Sequence, residues 1–163
     1  MKIYGIVGWK NAGKTSLMER LVTEITGRGL TVSTLKHAHH AFDVDQPGKD
    51  SHRHRSAGAR EVLVAGGARW ALMSELRGED EPPLAELIAR LTPVDLVLIE
   101  GWKRDQHPKI EAWRPETGRP PIASTEETVR ALAIKGTTET ALPCFDLDDT
   151  TAIAGFILSE VGL

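Results

Sequence analysis

Residues Gly8-Trp9-Lys10-Asn11-Ala12-Gly13-Lys14-Thr15 read G-x-x-x-x-G-K-T, the spacing of a loop that cradles phosphate. Glycines at 8 and 13 let the backbone turn tightly, so that its N–H groups converge on phosphate oxygens. Asn11, Ala12 and Ser16 complete the cradle, and a helix beginning near Gly13 adds its positive N-terminal dipole. Lys14 supplies a point charge for the β- and γ-phosphates, and the Thr15 hydroxyl is a ligand for Mg2+.

Such a loop needs a carboxylate on the metal side, at the C-terminal end of a neighbouring apolar strand. Asp95 and Glu100 flank the run Val94–Ile99 and would lie roughly 16 Å apart at about 3.3 Å per residue. Ligands of open α/β sheets bind outside the carboxyl ends of the strands. Glu100 is therefore the expected metal-side or water-positioning acid, catalytic together with Lys14, and Asp95 is a solvent-facing residue at the strand start.

Five of the six histidines fall between His37 and His54. Lys36-His37-Ala38-His39-His40 leaves a strand at the phosphate edge and leads through Asp43, Asp45 and Lys49 into His52-Arg53-His54-Arg55. No spacing here matches a structural zinc site. An anionic ligand held by Lys49, Arg53, Arg55 and the imidazoles fits the residue types better, since Arg matches phosphate geometry. Asp45 is a candidate Mg2+ ligand in a loop ordered by metal and γ-phosphate.

The elements that must position these groups alternate between strand and helix. Lys2–Val7 reads as a strand; Leu17, Leu21, Val22 and Ile25 share one face of a helix ending at Gly27 or Gly29; Leu30–Leu35 is a second strand. A short basic helix spans Asp50–Ala59, and Glu61–Ala65 with Arg69–Met73 forms a hairpin about Gly66-Gly67. Leu84, Leu87, Ile88 and Leu91 repeat at helical spacing. The nearly all-apolar Val94–Ile99 suits a central parallel strand. Lys109–Trp113, Arg130–Ile134 and Cys144–Leu147 are further strands, and Asp148 or Asp149 caps a last helix with Ile153, Phe156, Ile157 and Val161 on its apolar face. The fold class is α/β, a P-loop NTPase-type, mostly parallel sheet with helices on both faces, expected as a single domain over residues 1–163.

The chain has 163 residues, 40% of them apolar, which fits one core. A net charge of −3 argues against a generic nucleic-acid binder. No apolar stretch approaches a membrane span, and no secretory leader opens the chain. One cysteine, Cys144, excludes an internal disulfide and is expected as a small core residue. These features point to the cytoplasm.

Taken together, the phosphate loop, the run Lys36–Ser51, the segment Arg69–Met73 and Asp95–Lys103 (DLVLIEGWK) closely resemble the MobB family of molybdopterin-guanine dinucleotide biosynthesis adaptors, over essentially the whole chain. The resemblance implies a homodimeric GTP-binding protein that hydrolyses GTP feebly. It would act beside the MobA guanylyltransferase, which attaches GMP to molybdopterin. It also implies that Gly8–Thr15 hold the phosphates, that Thr15 and Glu100 serve Mg2+, and that Asp45 and the Lys49–Arg55 region border the cleft. Guanine selectivity comes from the resemblance alone, because the Asn-Lys-x-Asp motif is absent.

Two other readings keep the same loop: a small-molecule kinase with a lid at Trp102–Arg119, and a metal-delivery NTPase using the histidines. Slow hydrolysis is the expectation for the GTP-binding adaptor, since the sequence offers no evident catalytic Gln and no obvious arginine finger other than Arg53 or Arg55. Arg69–Met73 is a candidate strand for pairing between subunits, with Trp70 expected in the core.

Overall fold

Along the chain the elements are β1 (Lys2–Val7), α1 (Lys14–Gly27), β2 (Val32–Lys36), α2 (Asp50–Ser56), β3 (Glu61–Ala65), β4 (Trp70–Ser74), α3 (Leu84–Ala89), β5 (Leu96–Glu100), β6 (Lys109–Trp113), β7 (Val129–Ile134), β8 (Cys144–Asp146) and α4 (Thr150–Val161). They are those of a computed structural model that describes residues 1–38 and 42–163. The chain divides into two compact units: Met1–His37 with Ile88–Leu163, and Ala38–Leu87.

The first unit is built on a six-stranded sheet in the order β2-β5-β1-β6-β7-β8. Every pairing in it is parallel. β5 is buried along its whole length between β2 and β1, which explains its unbroken apolar sequence. It starts later than the apolar run suggests because Asp95 is used otherwise: its carboxylate accepts from the Thr31 N–H (2.7 Å) and hydroxyl (2.6 Å), tying the α1–β2 connection to the foot of the sheet.

One face of the sheet carries Tyr4, Ile6, Leu96, Leu98 and Ile110 against Leu17, Leu21 and Ile25 of α1 and Ile153 and Ile157 of α4. Each such side chain contributes about 1.5–3 kcal/mol by leaving water. Asp149 caps α4 by accepting from the Ala152 N–H at 3.0 Å, and Gly162, in left-handed backbone, ends it. Within the expected apolar face of α4, Phe156 and Val161 are only partly buried, while Ala154 and Leu158 join the core. On the opposite face Val7 packs with Ile122 and Val129.

In the second unit β3 and β4 pair antiparallel, Val62 opposite Met73 and Ala65 opposite Trp70. Arg55 of α2 organises this unit: its guanidinium donates to Glu75 (2.8 Å), Asp43 (2.8 Å) and Asp45 (3.3 Å).

Two expectations are corrected. Cys144 is exposed, because β8 is the edge strand of the sheet. Trp70 is 65% exposed rather than in the core, and Leu63, Val64 and Leu72 beside it are also exposed. A two-stranded ribbon gives each side chain only cross-strand neighbours and no second layer within which to bury both faces.

Candidate functional site

The phosphate loop connects β1 to α1, at the carboxyl edge of the parallel sheet. Gly8 (φ +149°) could carry no side chain, since a Cβ there would lie 2.3 Å from the Ala112 carbonyl oxygen. Asn11 (φ +66°) and Gly13 (φ +95°) are also in the positive-φ region, and α1 begins directly after Gly13 with Lys14. The Ala12 N–H closes the turn on the Trp9 carbonyl (3.2 Å), and the loop leads straight into the start of a 14-residue helix, where an anion is favoured. Ala12 of the loop is fully buried, whereas Thr15 and Ser16 are exposed at the start of the helix, the Ser16 hydroxyl accepting from the Arg20 guanidinium at 3.0 Å.

Lys14 is half-buried and its ammonium donates to the Trp9 carbonyl oxygen at 2.8 Å. Burial lowers its pKa; the Glu100 carboxylate opposes that shift, and the neighbouring Lys103 and Lys36 ammoniums reinforce it. Lys36 and Glu100 are register partners at the ends of β2 and β5, with Nζ 3.6 Å from Oε2. Glu100 is therefore at the phosphate edge, as the strand direction requires, with 12% of its side chain exposed. Lys14 thus senses the Glu100 carboxylate and the Lys103 and Lys36 ammoniums, with the Thr15 hydroxyl next in the chain, residue types that could hold a polyphosphate and a hard divalent cation. The geometry of the loop and the oxygen donors of Thr15 and Glu100 fit that pair of ligands.

The strand after Glu100 turns at Gly101 (φ +101°), where a Cβ would meet the His37 Cβ at 2.8 Å. This close approach brings the end of β2 against the turn: the His37 N–H donates to the Glu100 carbonyl (2.9 Å), and its ring stands 4.8 Å from that of Trp102. Trp9 joins the loop to its surroundings in the same way. The Lys103 ammonium and the Arg119 guanidinium lie 4.4 and 4.7 Å from its ring, and its indole N–H donates to the Pro120 carbonyl at 2.8 Å. The segment considered as a kinase lid is thus fastened to Trp9 through Lys103, Arg119 and Pro120, and it contains the fully buried strand β6.

The second unit holds the other expected residues. Asp45 accepts from the Ser51 hydroxyl (2.8 Å) and from Arg55, so its carboxylate serves the local network. Lys49 precedes α2 and is exposed; Arg53 is exposed, 3.9 Å from Asp50. Arg55 is spent on three carboxylates, which removes it as an arginine finger. His39 and His40 lie outside the described residues, and among the described residues no group of three His, Cys, Asp or Glu side chains is placed to hold a metal.

Lys36 and Lys103 lie in the sequence motifs without a role assigned to either, and Glu111 lies in none. Lys36 was findable as the last residue of a strand ending at the phosphate edge, but nothing in the sequence shows that Glu111, inside β6, accepts from the Ile122 and Ala123 N–H groups (2.8 and 2.9 Å). Burial pushes the Glu111 carboxyl up, against the effect of those two donors and of Lys103.

The family description "MobB: Molybdopterin guanine dinucleotide synthesis protein B" matches residues 3–135. The molybdopterin-guanine dinucleotide biosynthesis adapter protein of Escherichia coli (strain K12) is 35% identical over 159 residues, covering 96% of this chain and 91% of that protein. The adapter protein of Haemophilus influenzae is 37% identical over 158 residues, covering 95% and 86%. Among solved structures, the crystal structure of Bacillus subtilis MobB aligns with a TM-score of 0.77 at 28% identity, covering 99% of this chain and 98% of that one. The phosphate loop, the strand order around it and these likenesses over nearly the full length place the chain in the MobB family of molybdopterin-guanine dinucleotide synthesis proteins.

Proposed function

We propose that this protein is a GTP-binding adaptor of molybdenum cofactor biosynthesis, assisting the attachment of GMP to molybdopterin or the delivery of the product. The observation that carries nucleotide binding is the convergence of the Gly8–Thr15 cradle with Lys14, Lys36 and Glu100 at one sheet edge. Thr15 and Glu100 would hold Mg2+, which when bound neutralises developing charge on the phosphates. Lys14 would neutralise the terminal phosphates, and the loop N–H groups would orient them. Lys49 and Arg53 are retained as anion contacts, and Asp45 as the loop acid, of the second unit.

Family membership supports the preference for guanine and the role in the pathway. The hydrolysis proposed is slow: Arg55 is held by three carboxylates, and the sequence presents no evident catalytic Gln. The partners proposed are a second copy of the chain, the MobA guanylyltransferase and molybdopterin, met in the cytoplasm. A second copy is favoured by the hairpin, whose Leu63, Trp70 and Leu72 lie exposed on one face of the ribbon.

The test is a titration of tryptophan fluorescence with Mg2+·GTP, since Trp9 is part of the loop and Trp102 follows Glu100 by two residues, followed by co-purification with the guanylyltransferase. Saturable quenching by GTP and retention of the enzyme are expected. Phosphate transfer from nucleotide to an added small-molecule acceptor would favour the kinase reading instead.

A further inference from the structure

The arginine at the end of β6 is placed unlike the other cations of the site. β6 runs parallel to β1, Val7 opposite Glu111, so the chain leaving β6 climbs beside the phosphate loop. Arg114 follows directly in extended backbone (φ −143°, ψ 141°), and its carbonyl oxygen accepts from the Thr117 N–H (3.2 Å) and hydroxyl (2.8 Å), which fixes the turn beyond it. The guanidinium is laid along Gly13: a Cβ on Gly13 would stand 3.2 Å from Nη2 and 3.4 Å from Nε. The Leu147 Cδ2 lies 3.2 Å from the same point.

The Nε–H of Arg114 is buried and has no acceptor among the described residues. No carboxylate pairs with this side chain among the described residues, in contrast to Arg20, Arg28 and Arg55, which all form ion pairs. Arg114 as a whole is only partly buried, so the cost falls on this one N–H and not on the whole charge; a buried donor without an acceptor in a native protein points to something the polypeptide does not itself supply. Here the group lies against the last glycine of a phosphate cradle and beside the first turn of α1, where an anion is favoured for two further reasons.

We infer that Arg114 is a nucleotide-binding residue that donates, through its guanidinium edge, to phosphate oxygens of the ligand held by the Gly8–Thr15 loop. This rests on the nucleotide-binding reading above and adds to it a residue that lies outside every phosphate-loop motif. Gly13 is then doubly constrained. Its backbone shapes the cradle, and its lack of a side chain lets Arg114 approach.

The test compares the wild type with Arg114→Met, Arg114→Lys and Lys14→Ala by calorimetric titration of GTP and of inorganic tripolyphosphate, each with Mg2+. Thermal unfolding of each protein is recorded with and without ligand. Arg114→Met is expected to weaken both ligands roughly tenfold or more, the scale of one charge-assisted hydrogen bond. Arg114→Lys, which keeps the charge without the fork, falls between. Without ligand, Arg114→Met unfolds at or above the wild-type temperature, because it removes an unpaired buried donor, and its stabilisation by ligand shrinks.

Undiminished binding of both ligands by Arg114→Met would overturn the inference. So would loss of GTP binding alone, which would put the residue on the nucleoside. A lower unfolding temperature without ligand, combined with an unchanged ligand-induced rise, would mark a structural residue and also overturn it. Wild type that binds neither ligand would instead overturn the nucleotide-binding reading, and Arg114 with it; wild type that binds and Lys14→Ala that does not would leave that reading standing whatever Arg114 does.

Discussion

Lys36 and Glu100 end neighbouring parallel strands as register partners, their charged atoms 3.6 Å apart at the phosphate edge. The pairing sets a solvent-exposed ammonium beside a largely buried carboxylate, 12% of whose side chain is exposed. Replacing the acid with its neutral isostere should therefore leave the fold intact and remove the metal-side charge. Glu100→Gln is expected to raise the Mg2+ concentration needed for half-maximal nucleotide binding on the order of tenfold. Mg2+ titrations at fixed nucleotide read this out, and an unchanged Mg2+ requirement would remove Glu100 from the metal side.

The hairpin offers an independent prediction about assembly. Trp70 and Leu72 lie on β4 with 65% and 43% of their surfaces exposed. If this ribbon joins two copies, a double change Trp70→Asp and Leu72→Asp should weaken self-association at least tenfold, as loss of a central aromatic anchor does. Sedimentation velocity over a concentration series would show wild-type dimer and variant monomer. Equal sedimentation of the two would place the dimer contact elsewhere.

His107 makes a prediction about acid stability. Its ring is buried against Gly5, both ring nitrogens lack partners among the described residues, and burial, reinforced by the Lys109 ammonium and opposed by Asp105, brings its pKa down to about 4. Between about 6.5 and 4 the unfolded chain binds a proton that the folded one does not. Stability due to this residue is therefore present above pH 6.5 and is lost as pH falls through that window, by about 3 kcal/mol at full extent. Urea midpoints measured from pH 7 to pH 4 should fall more steeply for the wild type than for His107→Leu; parallel curves would contradict the assignment.

Glu111 should matter for stability through its two acceptor positions. In Glu111→Gln one carboxylate oxygen becomes an NH2 facing a backbone N–H, so one of the Ile122 and Ala123 donors is left unsatisfied. A loss of about 1–3 kcal/mol in chemical denaturation is expected. A variant as stable as the wild type would show that these bonds are replaced by water.

Much of this architecture is legible in the sequence because its signals are local. The glycine spacing of 8–13, the unbroken apolar run of β5 and the 3.6-residue period of Leu17, Leu21 and Ile25 each dictate their element without help from distant residues. Strand direction then puts Glu100, and not Asp95, at the phosphate edge. Tertiary placement is where the sequence falls silent. Cys144 looks like core until β8 proves to be the edge strand, and Trp70 looks like core until its hairpin is found to expose it. Arg114 and Glu111 carry no motif at all; only the parallel pairing of β6 with β1 brings them beside the loop and its supporting turn. Arg55 presents the reverse case, since its spacing suggests an anion contact but Asp43, Asp45 and Glu75 already surround it.

The central claim is that the Gly8–Thr15 loop binds a guanine nucleotide with Mg2+. Calorimetric titration of GTP and of ATP, each with Mg2+, into the wild type and Lys14→Ala tests it most directly. A single site is expected that prefers GTP and loses its affinity when Lys14 is replaced. Binding of neither nucleotide, or binding that Lys14→Ala leaves unchanged, would contradict it, and equal or tighter binding of ATP would refute its guanine preference.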